Sequence, residues 1–243
     1  MNCKNCDTEL EGKFCHNCGQ SSKIERLNVV SALKDFAKTI LHIERGGAYS
    51  ISKLMTAPVK TIELYLKGGR VRHYRPLSLL IWVSAMNLLV QQYLSKYNNT
   101  NGLDITVESN SVVNVIFESP ALMFMIALPF LALGFHIWIK KKNINYSEHI
   151  FIQIFTAIIS GVVQIILSPI LTICGMSIEY ITVTIFFTGI LVNFAIYVGL
   201  YSSFMSTGKA LLITLASYIS AFLILMIIST IVTLLLLQIQ VSS

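Results

Sequence analysis

Long apolar stretches alternate with short polar segments along the chain from residue 77 onward. Five of these stretches are long enough to cross a hydrocarbon core about 30 Å thick, which takes roughly 20 helical residues. They cover residues 77–94, 121–139, 150–173, 181–201 and 210–237. The pattern predicts an all-α polytopic membrane protein with five transmembrane helices, although Asn87, Gln91 and Gln92 interrupt the first stretch.

Two shorter helical patterns precede the first span. Between residues 27 and 43, apolar positions recur at helical spacing while polar residues fill the other face. This pattern predicts an amphipathic helix that lies in the membrane interface or packs against a protein neighbour. A second helix is expected to begin at Pro58 and to stop at Gly68 and Gly69, because proline fits a first helical turn and glycine commonly follows a last one.

Composition agrees with a membrane protein. The chain is 54% apolar and only 12% charged, whereas an ordinary soluble domain is about 25% charged. This composition excludes a disordered chain and argues against a water-soluble monomer. The polar, cysteine-rich N-terminus has no early apolar run, so no cleavable signal peptide is predicted.

The distribution of charge predicts the orientation in the membrane. Residues 1–76 hold thirteen of the 18 basic residues and carry a net charge of +6, while the remaining residues are neutral overall. If all five stretches cross with the N-terminus inside, the cytoplasmic segments 1–76, 140–149 and 202–209 hold 17 of those 18 residues. The positive-inside bias therefore predicts a cytoplasmic N-terminus and a C-terminus on the outer side.

A basic segment stands directly before the first span. Its cations are Lys67, Arg70, Arg72 and Arg75. Each can gain about 1 kcal/mol near anionic headgroups, and a basic region against a membrane domain favours lipid contact over nucleic acid. The alternative is that these residues only orient the first span during insertion.

Two CxxC pairs lie within the first eighteen residues. They predict one structural zinc ion per chain, held in a ribbon over residues 1–22 by Cys3, Cys6, Cys15 and Cys18. A disulfide pairing would need an oxidising compartment, and a redox CxxC usually opens a helix of a larger fold. His16 is an alternative ligand, and Gly19 supplies a permissive backbone after the second pair.

Three segments of the first third carry a family resemblance. They read FCHNCGQ from Phe14, LMTAP from Leu54 and YLKGGRVRHYRP from Tyr65. Together they resemble an uncharacterised bacterial family, common in Bacteroidetes, that joins an N-terminal zinc ribbon to a multi-pass membrane domain. The resemblance covers about residues 1–90 and implies zinc at the four cysteines and a bacterial inner membrane, with no established activity. The five-span plan is also similar in architecture to the Yip family of membrane-trafficking adaptors.

The sequence limits the possible functions mainly through the motifs and charges that it lacks. No GxSxG, P-loop or HExxH motif is present, so we expect no enzyme. Spans two to five lack Asp, Glu, Lys and Arg at membrane depth, unlike ion-coupled transporters. The amide side chains within the spans, Asn87, Gln153, Gln164 and Asn193, are expected to bond between helices.

The predicted domains are a ribbon (1–22), a cytoplasmic interfacial region (23–76) and a membrane domain (77–243). The leading hypothesis is a membrane adaptor or scaffold that engages a protein partner or anionic lipid. The alternatives are a transporter or channel for a neutral or lipidic substrate and, third, a zinc or redox sensor.

Overall fold

Helices make up most of the described chain. A computed structural model describes residues 2–23, 28, 46–71, 73–100, 120–139 and 144–242. Its helices are α1 (Gly47–Thr56), α2 (Pro58–Leu66), α3 (Pro76–Thr100), α4 (Pro120–Trp138), α5 (Tyr146–Ile173), α6 (Ile178–Ser202) and α7 (Thr207–Ser242). Apart from residue 28, the predicted amphipathic helix over 27–43 lies outside the described residues, as do Arg72 and the lysines of 140–142.

Four of the helices are long and apolar enough to cross a membrane, and they coincide with four of the predicted spans. The apolar segments are Pro76–Tyr97, Tyr146–Ile173, Tyr180–Ser202 and Thr207–Ile231. Their outer surfaces carry large apolar side chains; on α6, Phe186, Phe187 and Leu191 are each about 60% exposed. Soluble proteins rarely present such continuous apolar surface to water, so these helices have the surface expected in lipid.

The predicted span 121–139 corresponds to α4, which has 19 residues. Within α4, the segment whose side chains the structure describes, Ala127–Trp138, forms a shorter apolar helix than the other four. The helix itself is therefore confirmed, while its crossing of the membrane stays a prediction.

Helix α5 begins four residues before the predicted start of its span, and a capping box explains the difference. The Asn145 side-chain oxygen accepts a hydrogen bond from the Glu148 amide at 2.8 Å, and a Glu148 carboxylate oxygen accepts one from the Asn145 amide at 2.7 Å. This reciprocal pair satisfies backbone donors at the helix start. Glu148, only 5% exposed, thus has a structural role at the edge of the span.

The short helices before α3 were predicted in part. Helix α2 begins at Pro58 and ends at Leu66, as expected from its proline and glycine signals. Helix α1 was not predicted, because glycines such as Gly46 and Gly47 more often follow a helix than begin one. It starts at Gly47 and buries Ser50 and Leu54.

The chain divides into two compact units. The first comprises Met1–Val107 and Ile154–Leu200. In this unit α3 contacts α5 closely, since a Cβ built on Gly161 would lie 2.6 Å from a methyl group of Val83. The Asn87 side-chain amide donates to the Gly161 carbonyl (3.2 Å) and to the Gln164 side-chain oxygen (2.9 Å).

Helix α6 of the first unit is joined to α5 by a similar bond, from the Asn193 amide to the Thr156 hydroxyl at 2.9 Å. These bonds confirm the predicted helix–helix role of the Asn and Gln residues at positions 87, 164 and 193. Gln153, the fourth member of that set, is fully buried on α5.

The second unit comprises Glu108–Gln153 and Tyr201–Ser243. A stripe of small residues runs along one face of α7, each at most 1% exposed: Ala210, Thr214, Ser217 and Ala221. Next to this stripe, the Ser220 hydroxyl donates to the Gly134 carbonyl of α4 at 2.9 Å, and the Trp138 indole donates to the Ser220 hydroxyl at 3.2 Å. Small residues that admit a close backbone approach are typical of helix pairs in membranes.

Substitution of Gly134 tests this close approach. A Cβ there would lie 2.6 Å from the Ala221 Cα, so Gly134→Ala should force α4 and α7 apart and destabilise the protein by about 1–3 kcal/mol. Gly189→Ala is the matched control, because its nearest neighbour would lie 3.8 Å away at Ser160. Thermal unfolding in mild detergent should separate the two variants, and equal melting temperatures would contradict this packing.

Candidate metal centre

The four N-terminal cysteines converge on one point. The Sγ atoms of Cys3 and Cys18 are 3.6 Å apart, those of Cys6 and Cys15 are 3.6 Å apart, and those of Cys6 and Cys18 are 3.5 Å apart. All four sulfur atoms lie within 4.8 Å of one another, and all four cysteines are free. Because a disulfide requires about 2.05 Å, this arrangement is a cluster of four separate thiols that can bind a metal ion.

A tight turn presents the first pair of thiols. The Cys3 amide donates to the Thr8 carbonyl, and the Asp7 amide donates back to the Cys3 carbonyl, both at 2.9 Å. The chain then returns beside its start through a bridge that pairs Asn2 with Glu9. These bonds hold Cys3 and Cys6 on the same side of the turn.

The second pair repeats this turn twelve residues later. The Cys15 amide donates to the Gln20 carbonyl at 2.8 Å, and the Gly19 amide donates to the Cys15 carbonyl at 2.9 Å. A second bridge pairs Phe14 with Ser21. Two equivalent turns therefore face each other, and each contributes one buried and one half-buried thiol.

Both turns need a left-handed residue directly after the second cysteine. Gly19 has φ of 74° and Asp7 has φ of 57°. Glycine adopts this region without steric cost, and Asp is one of the few other residues that visit it. The sequence predicted the role of Gly19 but missed that of Asp7; the signal was its position, one residue after CxxC in both copies.

Polar neighbours surround the Cys6 thiol. The Thr8 hydroxyl lies 3.2 Å from the Cys6 Sγ and accepts a hydrogen bond from the Asn17 side-chain amide at 3.2 Å. Hydrogen bonds from the side chain and the backbone of Thr8 lower the pKa of Cys6 to about 6. Since the thiolate is the form that binds metals, this environment prepares Cys6 as a ligand.

The other candidate ligands do not join the cluster. His16 is exposed, and its ring is not among the groups that meet at the four sulfur atoms. Cys174, the fifth cysteine, is exposed just after α5. In the part of the chain that the structure describes, the group that could hold a metal ion therefore consists of the four predicted cysteines.

A single glutamine connects this cluster with the segment before the first span. We call residues 67–75, between α2 and α3, the basic loop. The Gln20 side-chain oxygen accepts hydrogen bonds from the amides of Arg70 (3.4 Å) and Val71 (3.2 Å), and Gln20 is only 6% exposed. Two of the segments that carry the family resemblance are thus in direct contact, although fifty residues separate them.

The predicted lipid-contacting residues have different environments within the basic loop. Lys67, with a side chain 75% exposed, forms an ion pair with Glu63 at 3.8 Å. The Arg70 guanidinium lies 5.6 Å from the centre of the Tyr65 ring, and its Nε donates to the Tyr65 carbonyl at 3.4 Å. Arg75 is half-buried. The contact with the cysteine cluster therefore uses the backbone of the loop, not its charges.

Tyr65 is the centre of the packing beneath the basic loop, a role that the sequence did not reveal. It is 7% exposed, and its ring makes edge contacts with Phe155 of α5 (5.1 Å) and His73 of the loop (6.2 Å). Burial raises the pKa of Tyr65 to about 12, although Arg70 and Arg75 lower it. Burial also lowers the pKa of His73, so this residue is neutral at pH 7.

Polar residues form one continuous face of α5, although the sequence singled out only Gln153 and Gln164 on this helix. They recur at intervals of three or four positions: His149, Gln153, Thr156, Ser160 and Gln164. His136 of α4 is half-buried, with its ring centre 5.6 Å from that of His149. Two histidines alone do not complete a metal site, and no carboxylate or thiol joins them in the described residues.

No family model, curated protein or solved structure matches the chain. The interpretation of the cluster therefore depends on its own chemistry. Four thiols at these distances can surround one ion completely, and they leave no position for a substrate or water.

The left-handed turn at Asp7 provides a test of the cluster. A β-branched side chain there should cost about 1–2 kcal/mol, so Asp7→Val should weaken metal affinity by about tenfold, whereas Asp7→Gly should preserve it. Competition with a chromophoric chelator measures both affinities. If the two variants bind metal equally, the turn at Asp7 does not shape the site.

Proposed function

We propose that the chain is a non-catalytic adaptor or scaffold of a bacterial inner membrane, with an N-terminal zinc ribbon that engages a protein partner next to the lipid surface. The observation that carries this proposal is the contact between Gln20 and the basic loop. This contact holds residues 2–23, which we call the cysteine module, beside the residues that lead into the first span. A module in this position presents a binding surface at the membrane without contributing to chemistry.

Zinc is the ion that the cluster fits best. In a tetrahedron with metal–sulfur bonds of about 2.3 Å, the usual length for zinc, neighbouring sulfur atoms are about 3.8 Å apart. The sulfur–sulfur distances of 3.5–3.6 Å between three pairs approach this value. A site of four thiolates is a closed structural type, which supports one structural zinc ion per chain within a ribbon over residues 1–22.

A fifth transmembrane span at α4 completes the proposed membrane domain, 77–243. Its 19 residues extend about 28 Å at the helical rise, close to the thickness of a hydrocarbon core. Its contacts with α7 through Gly134, Trp138 and Ser220 are of the kind that joins membrane helices. With five spans the charge distribution predicts a cytoplasmic N-terminus and a periplasmic C-terminus.

The interfacial region, 23–76, is proposed to contact anionic headgroups. Lys67, Arg70, Arg72 and Arg75 precede the first span, where each cation near the surface adds about 1 kcal/mol. The exposed Lys67 is the best placed of those described, because the Arg70 guanidinium is directed to Tyr65. Lipid contact would orient the ribbon relative to the membrane.

Polar residues within the spans support an adaptor over a transporter. Asn87 bonds to Gln164, and Asn193 bonds to Thr156, so these side chains join helices of the first unit instead of lining a path. One observation favours transport of a lipidic substrate as a second candidate. A cavity of about 560 Å³ lies between α3 and α5, and most of its wall is apolar: Leu89, Val90, Leu94, Pro169 and Ile173.

Metal analysis tests the proposed zinc site. Purified protein should contain about one zinc per chain, and Cys15→Ser should lose most of it because the closed structural site loses one of its four ligands. Cys174→Ser is the matched control and should keep the metal, since Cys174 lies outside the cluster. A folded wild-type protein that contains no metal would contradict the site.

Co-purification from native membranes in mild detergent tests the adaptor function. Phe14 is 67% exposed on the cysteine module, and the bridge that pairs it with Ser21 uses only backbone atoms. Phe14→Ala should therefore keep its zinc but lose a stoichiometric protein partner that the wild type and Cys174→Ser retain. A wild-type protein that purifies alone with bound lipid would contradict the adaptor and favour lipid transport.

A further inference from the structure

The basic loop depends on the cysteine module for part of its backbone bonding. We propose that metal occupancy controls this loop: the bound ion holds the Arg70–Val71 backbone through Gln20, and loss of the ion releases it. This inference rests on the zinc site proposed above and adds a regulatory consequence to it. The contacts that support this coupling all lie within the first unit.

The second CxxC turn determines where Gln20 lies. The Gln20 carbonyl accepts the amide of Cys15 at 2.8 Å, and the adjacent Gly19 donates to the Cys15 carbonyl. Gln20 is therefore bonded directly to a ligand residue, two positions beyond Cys18. Any change that opens this turn also moves Gln20.

The cysteine module has little besides the metal ion to hold it together. Among residues 2–23, the buried apolar side chains are those of Cys3 and Cys15, which are ligands themselves. So small a module cannot bury enough apolar surface to fold alone, and metal binding supplies its folding free energy. Without the ion, the two turns lose the link between them.

A single side-chain oxygen of Gln20 accepts hydrogen bonds from two consecutive backbone amides of the loop. The Gln20 side-chain oxygen binds the amides of both Arg70 and Val71, and a carbonyl oxygen has two lone pairs for this purpose. The other end of the loop is held separately, because the Tyr74 amide donates to the buried Ser50 hydroxyl at 2.7 Å. Release of Gln20 should thus free the middle of the loop and leave Tyr74 anchored.

The consequence concerns the cations of the loop. While Gln20 holds the backbone, the Arg70 guanidinium lies over the Tyr65 ring and donates to the Tyr65 carbonyl. A released backbone lets Arg70 leave this position and reach anionic headgroups. The zinc-bound and zinc-free proteins therefore differ in how far the Arg70 guanidinium can reach toward the membrane.

Hydrogen–deuterium exchange on the full-length protein in lipid nanodiscs tests the proposal. Chelation of the zinc should speed exchange of the Arg70 and Val71 amides by about three- to tenfold, the effect of losing one ordinary hydrogen bond. The Thr61 amide, bonded to the Ala57 carbonyl in α2, is an internal reference that should not change. Zinc content is measured on the same samples.

Variants of Gln20 separate the coupling from general loss of structure. Gln20→Ala should keep its zinc yet show the faster exchange at Arg70 and Val71, while Gln20→Glu keeps an acceptor oxygen and should stay close to wild type. If zinc is bound but neither chelation nor Gln20→Ala changes these amides, the coupling is overturned and the zinc site stands. If the protein holds no zinc from the start, the site and the coupling both fall.

Discussion

The hydrocarbon interior of a membrane offers no hydrogen-bond partner, so every polar group placed there must find one within the protein. Helix α5 is where this constraint acts most strongly, because one of its faces is polar over several turns. In the first unit, the neighbouring helices α3 and α6 contribute Asn87 and Asn193. Their side-chain amides donate hydrogen bonds to Gln164 and Thr156 on this polar face. The same requirement explains the Asn145–Glu148 capping box, which satisfies donors at the start of the helix. Bonds of this kind determine which faces of the helices meet, since apolar contact alone does not discriminate in lipid.

Features that depend on residues close together in the sequence could be predicted. Apolar length alone identified four helices that can span a membrane, and the proline and glycine rules located both ends of α2. The cluster of four cysteines could be predicted equally well, because a CxxC pair encodes its geometry within four residues. Helix α1 was missed where the local signal was ambiguous: Gly46 and Gly47 can end one helix or begin another.

Features that depend on contacts between residues far apart in the sequence could not be predicted in this way. Nothing near Gln20 indicates that its side chain binds amides fifty residues away. Tyr65 was overlooked for a related reason, since its importance comes from Phe155 and His73 and not from its own helix. Asp7 is an intermediate case, because comparison of the two CxxC copies reveals its position but only the backbone angle explains it.

The length of α7 has a consequence for the membrane in which the protein resides. Its 36 residues extend about 54 Å at the helical rise, whereas a helix tilted by about 20° needs only about 21 residues to cross hydrocarbon 30 Å thick. About fifteen residues of α7 therefore extend beyond the hydrocarbon, a distance of about 22 Å that passes through the headgroup layer. A bilayer thicker by about 5 Å would cover three or four more of these residues. The helix can thus accommodate bilayers of different thickness by changing how much of its length stands outside them.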